Sequence, residues 1–98
     1  MWCHAGVDEW DELFDWDESN EGHVARHGVE PYEVEEALLD PEQVSGDAFN
    51  VGTETRDAVI GKTDDGAILF VVYTIRNKKV RPISAREATD KEKRRYRR

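Results

Sequence analysis

Residues 67–88, AILFVVYTIRNKKVRPISAREA, decide the fold of this chain. The run 67–75 is apolar, β-branched and aromatic at both odd and even positions, which predicts a strand buried on both faces. The polar residues 76–79 predict a turn, and the more basic residues 80–85 predict a second strand. Pro82 cannot donate a hydrogen bond to a neighbouring strand, so we expect the second strand to lie at a sheet edge or to bulge there.

The predicted hairpin carries three arginines. Arg76 lies in the turn, and Arg81 and Arg86 follow on the second strand. We expect all three to share the far end of the hairpin, where gathered cations would attract an anion. Arginine grips a phosphate through a planar fork of donors and does not lose its proton. The sequence therefore predicts an anion-binding site at this end of the hairpin.

Further strands complete the predicted sheet. Residues 55–63 predict a strand, and Asp-Asp-Gly at 64–66 predicts a hairpin turn because these residues tolerate positive φ. Weaker signals predict short strands at 48–51, on the sheet edge, and at 13–16. We therefore expect an antiparallel sheet of about four strands.

Two short helices are predicted before the sheet. Asp17 lies where an N-cap belongs, and a helix over 18–27 ends at Gly28, which can adopt the left-handed conformation of a C′ residue. Pro31 suits the first turn of a second helix. Asp-Pro at 40–41 ends that helix, because proline disfavours a helical conformation in the residue before it.

Apolar residues predict which side of the second helix faces the sheet. They are Tyr32, Val34, Ala37 and Leu38. A third helix is predicted over 90–97, opened by a capping box between Thr89 and Glu92. The predicted fold class is α+β, with two N-terminal helices packed on one face of the sheet and a short C-terminal helix.

Length and composition limit the class of protein. A chain of 98 residues predicts one domain, here residues 13–98, with residues 1–12 poorly ordered or loosely packed. No apolar run reaches the roughly 18 residues of a membrane span. The N-terminus lacks the cationic start and apolar stretch of a signal peptide. Cys3 is the single cysteine and cannot form an internal disulfide. We predict a soluble cytoplasmic protein.

Charge divides the chain into two halves. Residues 1–50 hold fifteen Asp or Glu and one Arg, whereas residues 51–98 hold seven acids and thirteen Lys or Arg. The net charge of −8 therefore combines an acidic half and a basic half. A basic half that forms one face can bind nucleic acid. The alternative is that the two halves attract each other within the fold, and charge alone favours this alternative.

The last part of the chain is typical of a surface that grips a nucleic-acid backbone. Residues 76–98 hold eleven Lys or Arg against three acids, with Tyr96 among them and Tyr73 shortly before. Ser84 has no glycine-flanked nucleophile elbow around it, and we interpret it as a hydrogen-bonding support for Arg86 or a phosphate. The alternative is a solvated cationic helix paired with the acidic half of the chain.

Two histidines four residues apart leave three interpretations open. His23 and His27 share a side of the first predicted helix, as metal-binding pairs do, and Cys3 and His4 could add ligands. A histidine before a C-terminal glycine more often interacts with helix carbonyls or packs on the sheet. The third interpretation is that His27 moves a proton near a substrate.

Several motifs together resemble one family, the BrnT-type toxins. The similar segments are DWDE (15–18), ARHGV (25–29), VVYT (71–74), RPISAR (81–86) and EKRRY (92–96). The resemblance covers about residues 13–97, and RPISAR with the Glu and Tyr that follow it is the most specific part. Family members often carry Lys where Ser19 stands and Asn near His23, so the chain departs from the family pattern at these positions.

The resemblance implies a RelE-like fold and the toxin of a type II toxin–antitoxin system. Such a toxin would cleave RNA without a metal or other cofactor and would be inhibited by a cognate BrnA-like antitoxin that binds DNA. The resemblance leaves open a homodimer or a toxin–antitoxin hetero-oligomer. The implied catalytic residues are His27, Arg81, Arg86 and Tyr96. The residues predicted to bind RNA are Tyr73, Arg76, Ser84, Arg94 and Arg95.

Two other functions compete with RNA cleavage. The same fold could be catalytically inactive and hold RNA or a protein partner. Alternatively, the acidic residues 33–36 of the second helix could recruit a basic partner protein. RNA that binds in a salt-dependent way but stays intact would favour the inactive module, and capture of a partner on the acidic helix would favour the interaction protein.

Overall fold

The computed structural model describes residues 13–46 and 49–97. In this part of the chain, three helices and an antiparallel sheet of five strands form an α+β fold, which confirms the predicted class. The helices are α1 (Glu18–Ala25), α2 (Pro31–Leu38) and α3 (Asp90–Tyr96). The strands are β1 (Val44–Ser45), β2 (Phe49–Val51), β3 (Glu54–Lys62), β4 (Ile68–Arg76) and β5 (Lys79–Glu87).

The strand order places the predicted hairpin at one side of the sheet. The order is β1-β3-β4-β5, and β2 also pairs with β3, at the end of β3 distant from β1. All of these pairings are antiparallel. Strand β4 is central and buried on both faces over most of its length, as its continuous apolar run predicts.

The hairpin turn is tighter than predicted. Only Asn77 and Lys78 lie between β4 and β5, with φ values of 55° and 66°. Two consecutive residues with positive φ are typical of the type I′ turn, whose twist matches that of the flanking strands. Both strands therefore extend closer to the turn, and β5 also continues to Glu87 rather than ending at residue 85.

Pro82 shapes the last strand in both of the predicted ways. Strand β5 ends the strand order, so it is an edge strand. The register with β4 shifts between Val72 and Tyr73, which oppose Ser84 and Pro82 respectively, so Ile83 is the extra residue of a bulge. A bulge here relieves the missing donor of Pro82 and increases the local twist of the strand.

The helices begin as predicted, and α1 ends earlier than predicted. The Asp17 side chain accepts hydrogen bonds from the amides of Ser19 and Asn20, at 3.0 and 3.2 Å. Helix α1 stops at Ala25, two residues before the predicted end, and a turn leads to Gly28 at φ 74°. The Thr89–Glu92 capping box of α3 is confirmed.

The main core lies between the sheet and the first two helices. We call the covered side of the sheet the helical face. Its buried residues are Val24, Val29, Val34, Ala37, Val59, Leu69, Val71 and Ala85. Trp16 and Leu38 pack against this core, and the Trp16 indole Nε1 donates to a Glu35 oxygen at 2.8 Å, which ties the start of α1 to α2.

One residue predicted to face the sheet does not. Tyr32 is 55% exposed, whereas Val34 and Ala37 are fully buried. Residues two apart on an α-helix differ by about 200° in direction, so Tyr32 and Val34 cannot share a side. The inclusion of Tyr32 in the apolar side of α2 was therefore wrong.

Smaller differences concern the short strands. Strand β1 has no counterpart among the predictions, and the predicted strand at 13–16 is reduced to one parallel bridge between Phe14 and Val80. Two-residue strands carry too little pattern to be recognised from sequence. The prediction for residues 1–12 and for residue 48 lies outside the described residues. Within the described ranges, no helix is long and apolar enough to cross a membrane.

Close packing between α2 and β3 gives a test of the fold. A Cβ added at Gly61 would collide with the backbone carbonyl of Ala37. We expect Gly61→Ala to lower the free energy of unfolding by about 1–3 kcal/mol, because the helix must move away from the sheet. Urea denaturation followed by circular dichroism measures this change.

A matched glycine in α1 serves as the control. A Cβ at Gly22 meets nothing within 4 Å. Gly22→Ala should raise the free energy of unfolding by about 0.5–1 kcal/mol, because alanine favours the helix. A Gly61→Ala protein as stable as the Gly22→Ala protein would contradict the close approach of α2 to β3.

Candidate nucleic-acid interface

Strands β3, β4 and β5 bring three arginines to one place. Arg56, Arg76 and Arg81 come from these three neighbouring strands and line a cavity of about 270 Å³. We call it the arginine cavity. Its complete lining is Ser19, Asn20, His23, Glu54, Arg56, Arg76, Arg81 and Ile83.

The strand register explains this convergence. Arg81 pairs with Thr74 across β4 and β5, and Asp57 pairs with Tyr73 across β3 and β4, which places Arg56 opposite Thr74. Residues opposite one another in an antiparallel pair point to the same side of the sheet. The three arginines therefore lie on the face of the sheet opposite to the main core, which we call the opposite face. Helix α1 reaches this face beside β5, through Ser19, Asn20 and His23.

Arg81 is held by two carboxylates of the acidic half. Its guanidinium lies 3.0 Å from an Asp17 oxygen and 3.5 Å from an Asp15 oxygen, and the side chain is only 11% exposed. The hydrogen bond with Arg81 lowers the pKa of Asp17, and the bond with Asp17 raises the pKa of Arg81. Asp17 is also the N-cap of α1, so this contact joins the start of the helix to β5.

The other two arginines of the cavity differ in their contacts. The Arg56 Nη2 atom lies 3.1 Å from a Glu54 oxygen, within the same strand. Arg76 is exposed, and no hydrogen bond or ion pair within the described ranges holds its guanidinium. Among the described residues, Arg76 is therefore the arginine of the cavity whose donors remain available to a ligand.

A buried amide fixes α1 beside the cavity. The Asn20 side chain, which is 4% exposed, donates to the carbonyls of Asp15 and Pro82, each at 2.9 Å. Its oxygen accepts from the Asp17 amide at 2.8 Å. These contacts place His23, one turn further along α1, at the rim of the cavity. The His27 ring is centred 6.2 Å from that of His23 but does not line the cavity.

Arg86 lies in a second, separate cluster. Its guanidinium makes a forked pair with Glu92, with distances of 2.8 and 3.0 Å, and its central carbon lies 4.4 Å from the Phe70 ring centroid. The hydrogen bond with Arg86 lowers the pKa of Glu92, and the bond with Glu92 raises the pKa of Arg86. The pair fastens the start of α3 to β5.

The expectation that the arginines of β5 share one end of the hairpin is wrong. Arg81 opposes Thr74 and Arg86 opposes Phe70, so four residues of β4 separate their positions. At about 3.3 Å per residue, the two backbones are roughly 13 Å apart. Both side chains are also engaged in ion pairs. Arg76 joins Arg81 as predicted, and Arg86 does not.

Tyr96 has a structural contact in this arrangement. Its hydroxyl donates to an Asp40 oxygen at 2.6 Å, and the same oxygen accepts from the Lys62 amide at 2.8 Å. The hydrogen bond to Asp40 raises the pKa of Tyr96 to about 12. A phenol that holds its proton this strongly is a poor proton donor near neutral pH.

The remaining predicted RNA-binding residues are spread over the molecule. Tyr73 packs against the core of the helical face, and burial raises its pKa. Ser84 lies on β5 opposite Val72 and is half-buried. Arg94 is exposed on α3, and Arg95 donates to the Ser45 carbonyl at 2.8 Å.

Of the eight residues that line the cavity, only Arg76 and Arg81 are among the predicted site residues, and the missed residues include Arg56 and His23. Arg56 lies in a strand predicted only for its apolar pattern, and no local signal reveals which residue of another strand will oppose it. His23 was considered as half of a metal-binding pair and as a departure from the family pattern, and not as a site residue. Cys3 and His4, the further ligands of that hypothesis, lie outside the described residues. The described residues contain no group of three or more His, Cys, Asp or Glu arranged to hold a metal ion.

The Tyr96–Asp40 contact predicts how stability responds to alkaline pH. The pKa of Tyr96 in the folded protein is about 12, above the ordinary value of 10.0. The contribution of its hydrogen bond to stability is therefore fully present below pH 10 and is lost as the pH rises through 12. We expect Tyr96→Phe to lower the free energy of unfolding by about 1 kcal/mol at pH 7 and to flatten its decrease between pH 10 and 12. Denaturation at a series of pH values measures both effects.

Tyr32 offers the control for this substitution. It is 55% exposed, and no hydrogen bond of its hydroxyl occurs within the described ranges. Tyr32→Phe should leave the stability at pH 7 unchanged. Equal effects of the two substitutions would show that the bond between Tyr96 and Asp40 does not fasten α3.

Comparison with known proteins identifies the family. The family model described as the ribonuclease toxin BrnT of type II toxin–antitoxin systems matches residues 16–92. A search of curated proteins gave no match. The matched range covers most of the chain and includes α1, α2, all five strands and the first residues of α3. The chain belongs to the BrnT family of ribonuclease toxins of type II toxin–antitoxin systems, and its partner is accordingly a cognate antitoxin.

Proposed function

We propose that this toxin cleaves RNA at the arginine cavity without a metal ion. The observation that carries the proposal is the convergence of Arg56, Arg76 and Arg81 with His23 around one cavity on the opposite face. Cations from three neighbouring strands match the charge of a phosphodiester, and a neighbouring imidazole can exchange a proton with it. The family assignment makes RNA the natural substrate for such a site.

The reaction needs only groups that RNA and these side chains supply. The 2′-hydroxyl oxygen attacks the adjacent phosphorus, and the bond from phosphorus to the 5′-oxygen breaks. A base removes the proton of the 2′-hydroxyl, and an acid delivers a proton to the departing 5′-oxygen. The products are a 2′,3′-cyclic phosphate and a 5′-hydroxyl end. Negative charge grows on the phosphate oxygens in the transition state, and fixed cations stabilise it.

Arg76 is the cation best placed to meet the phosphate first. Its guanidinium is exposed and has no partner within the described residues, so binding a phosphate breaks no existing ion pair. Arg56 and Arg81 already contact carboxylates. A phosphate near them shares their donors with Glu54 and Asp17, which hold the two guanidinium groups in place.

The histidines are the proposed proton carriers. Imidazole is the side chain whose ordinary pKa lies closest to neutrality, so it can both accept and donate a proton at pH 7. His23 lines the cavity, and His27 lies beside His23, with the two ring centroids 6.2 Å apart. We assign to His23 one of the two proton transfers, either from the 2′-hydroxyl or to the 5′-oxygen. His27 is the neighbouring imidazole that would exchange a proton with His23.

The other predicted residues take supporting parts in this proposal. Arg86, Arg94 and Arg95 contribute positive charge on and beside α3, where a longer RNA could continue from the cavity. Ser84 lies on β5 between Arg81 and Arg86 and can donate to a phosphate. Tyr73 and Tyr96 act through packing, at the core and at α3 respectively.

The antitoxin is the proposed regulator of the cavity. We infer a BrnA-like protein that binds DNA and inhibits cleavage by covering the arginines, since the family is defined by a paired antitoxin. RNA and antitoxin would then compete for the same cations. Because cellular RNA is the substrate, we place the activity in the cytoplasm.

Removal of one free cation tests the proposed site. Arg76→Ala removes a cation of the cavity and breaks no hydrogen bond or ion pair among the described residues. We expect it to lower kcat/KM for RNA cleavage by about 100-fold, the usual scale for one transition-state donor, with folding unchanged. Cleavage of a labelled RNA, measured with excess EDTA present, gives the rate, and the ends of the products identify the reaction.

The control removes an equal charge elsewhere. Lys91→Ala alters an exposed cation of α3 outside the cavity and should change kcat/KM less than about 2-fold, the scale of a screened surface charge. An equal decrease in kcat/KM in both variants would show that Arg76 acts only through general charge attraction and not at a specific site. Loss of wild-type cleavage in EDTA that Mg²⁺ restores would overturn the metal-free mechanism. RNA that binds and stays intact would establish the inactive binding module instead.

A further inference from the structure

Packing among the described residues does not explain one aromatic side chain on β2. Phe49 is 45% exposed, and all three residues of β2 are exposed. The ring belongs to neither of the two apolar clusters that form the described core. An exposed phenyl group on an edge strand is a cost in solubility, so a binding function would account for it.

The strand register places this ring next to the arginine cavity. Phe49 pairs with Arg56 across β2 and β3. The two side chains therefore lie on the same face, with Cβ atoms about 5 Å apart. Across the opposite face, one row of residues runs through four strands in the order Phe49, Arg56, Thr74 and Arg81. An aromatic platform thus adjoins a group of cations.

An aromatic ring beside a group of cations fits a nucleotide better than the ring or the cations alone. Proteins that bind single-stranded nucleic acid hold the backbone with cations and stack the bases on aromatic rings. A base paired within a duplex presents no free ring face to a side chain, whereas an unpaired base can turn outward and stack. Lys79, which opposes Arg76 across β4 and β5, adds one further positive charge on this face.

We propose that Phe49 stacks an unpaired base of the RNA whose phosphate lies in the arginine cavity. The inference rests on the proposed function and adds the substrate class, which is single-stranded RNA. The base next to the bound phosphate lies on the β2 side of the cavity, over Phe49. Arg56 lies between ring and cavity, where it contacts both the phosphate and the edge of the stacked base.

The alternative ligand for the Phe49 ring is an apolar side chain of a partner protein. Phe49 and Val51 lie on the same side of β2, at 45% and 46% exposure, and could contact an apolar residue of a partner. The flanking arginines favour the anionic ligand, because a purely apolar contact would bury them against an uncharged surface at a desolvation cost.

Binding of an uncleavable RNA separates these possibilities. The probe is a single-stranded 2′-O-methyl oligoribonucleotide, which lacks the reacting hydroxyl, with one fluorescent 2-aminopurine base, and the same strand paired as a duplex. We expect Phe49→Ala to weaken binding of the single strand by roughly 10-fold and to abolish quenching of 2-aminopurine. Phe49→Trp should restore both, and the duplex should bind more weakly and without response to either change.

Val51→Ala is the matched control on the same strand and should bind the single strand as the wild-type protein does. Equal single-strand binding by wild type and Phe49→Ala, or equal binding of duplex and single strand, would overturn the base site. Unchanged RNA binding together with weakened binding of the cognate antitoxin would assign Phe49 to the protein interface. Failure of Arg76→Ala to affect cleavage would instead reject the arginine cavity itself, so the two proposals fail separately.

Discussion

The antiparallel register of β3, β4 and β5 is the constraint from which the proposed site follows. It places Arg56, Thr74 and Arg81 in one row across the sheet, with Arg76 at the end of β4. A shift of one residue in either pairing would turn an arginine to the helical face, where α1 and α2 pack. The tight turn at Asn77 and Lys78 and the bulge at Ile83 hold this register in the last hairpin.

Charge within the fold is neither fully neutralised nor fully free. Asp15 and Asp17 of the acidic half hold Arg81, as the hypothesis of two attracting halves predicts. Arg86 instead pairs with Glu92, which comes from the basic half itself. Arg76 has no partner within the described ranges. The carboxylates therefore orient two cations and leave Arg76 available for the phosphate of the proposed substrate, so an acidic chain is compatible with the proposed RNA site.

Local sequence patterns predicted the elements and their hairpins well, but they could not predict the residue-by-residue register that decides which side chains meet. The apolar run of β4, the N-cap Asp17 and the position of Pro82 each depend on neighbouring residues, and each prediction agrees with the structure. Arg56 reaches the cavity, and Phe49 lies beside Arg56, through the register of β2, β3 and β4, which has no signal in one sequence. Arg86 was placed wrongly because five positions along an extended strand span more than one phosphate site.

The most direct test of this account is an NMR titration that follows the arginine Nε–Hε signals as uncleavable 2′-O-methyl RNA is added. The account predicts that Arg56, Arg76 and Arg81 shift together and at the lowest RNA concentration, before any arginine of α3 responds. Shifts confined to Arg86 and the arginines of α3, with the three cavity signals unchanged, would contradict it, because the phosphate would then bind at the other end of the sheet.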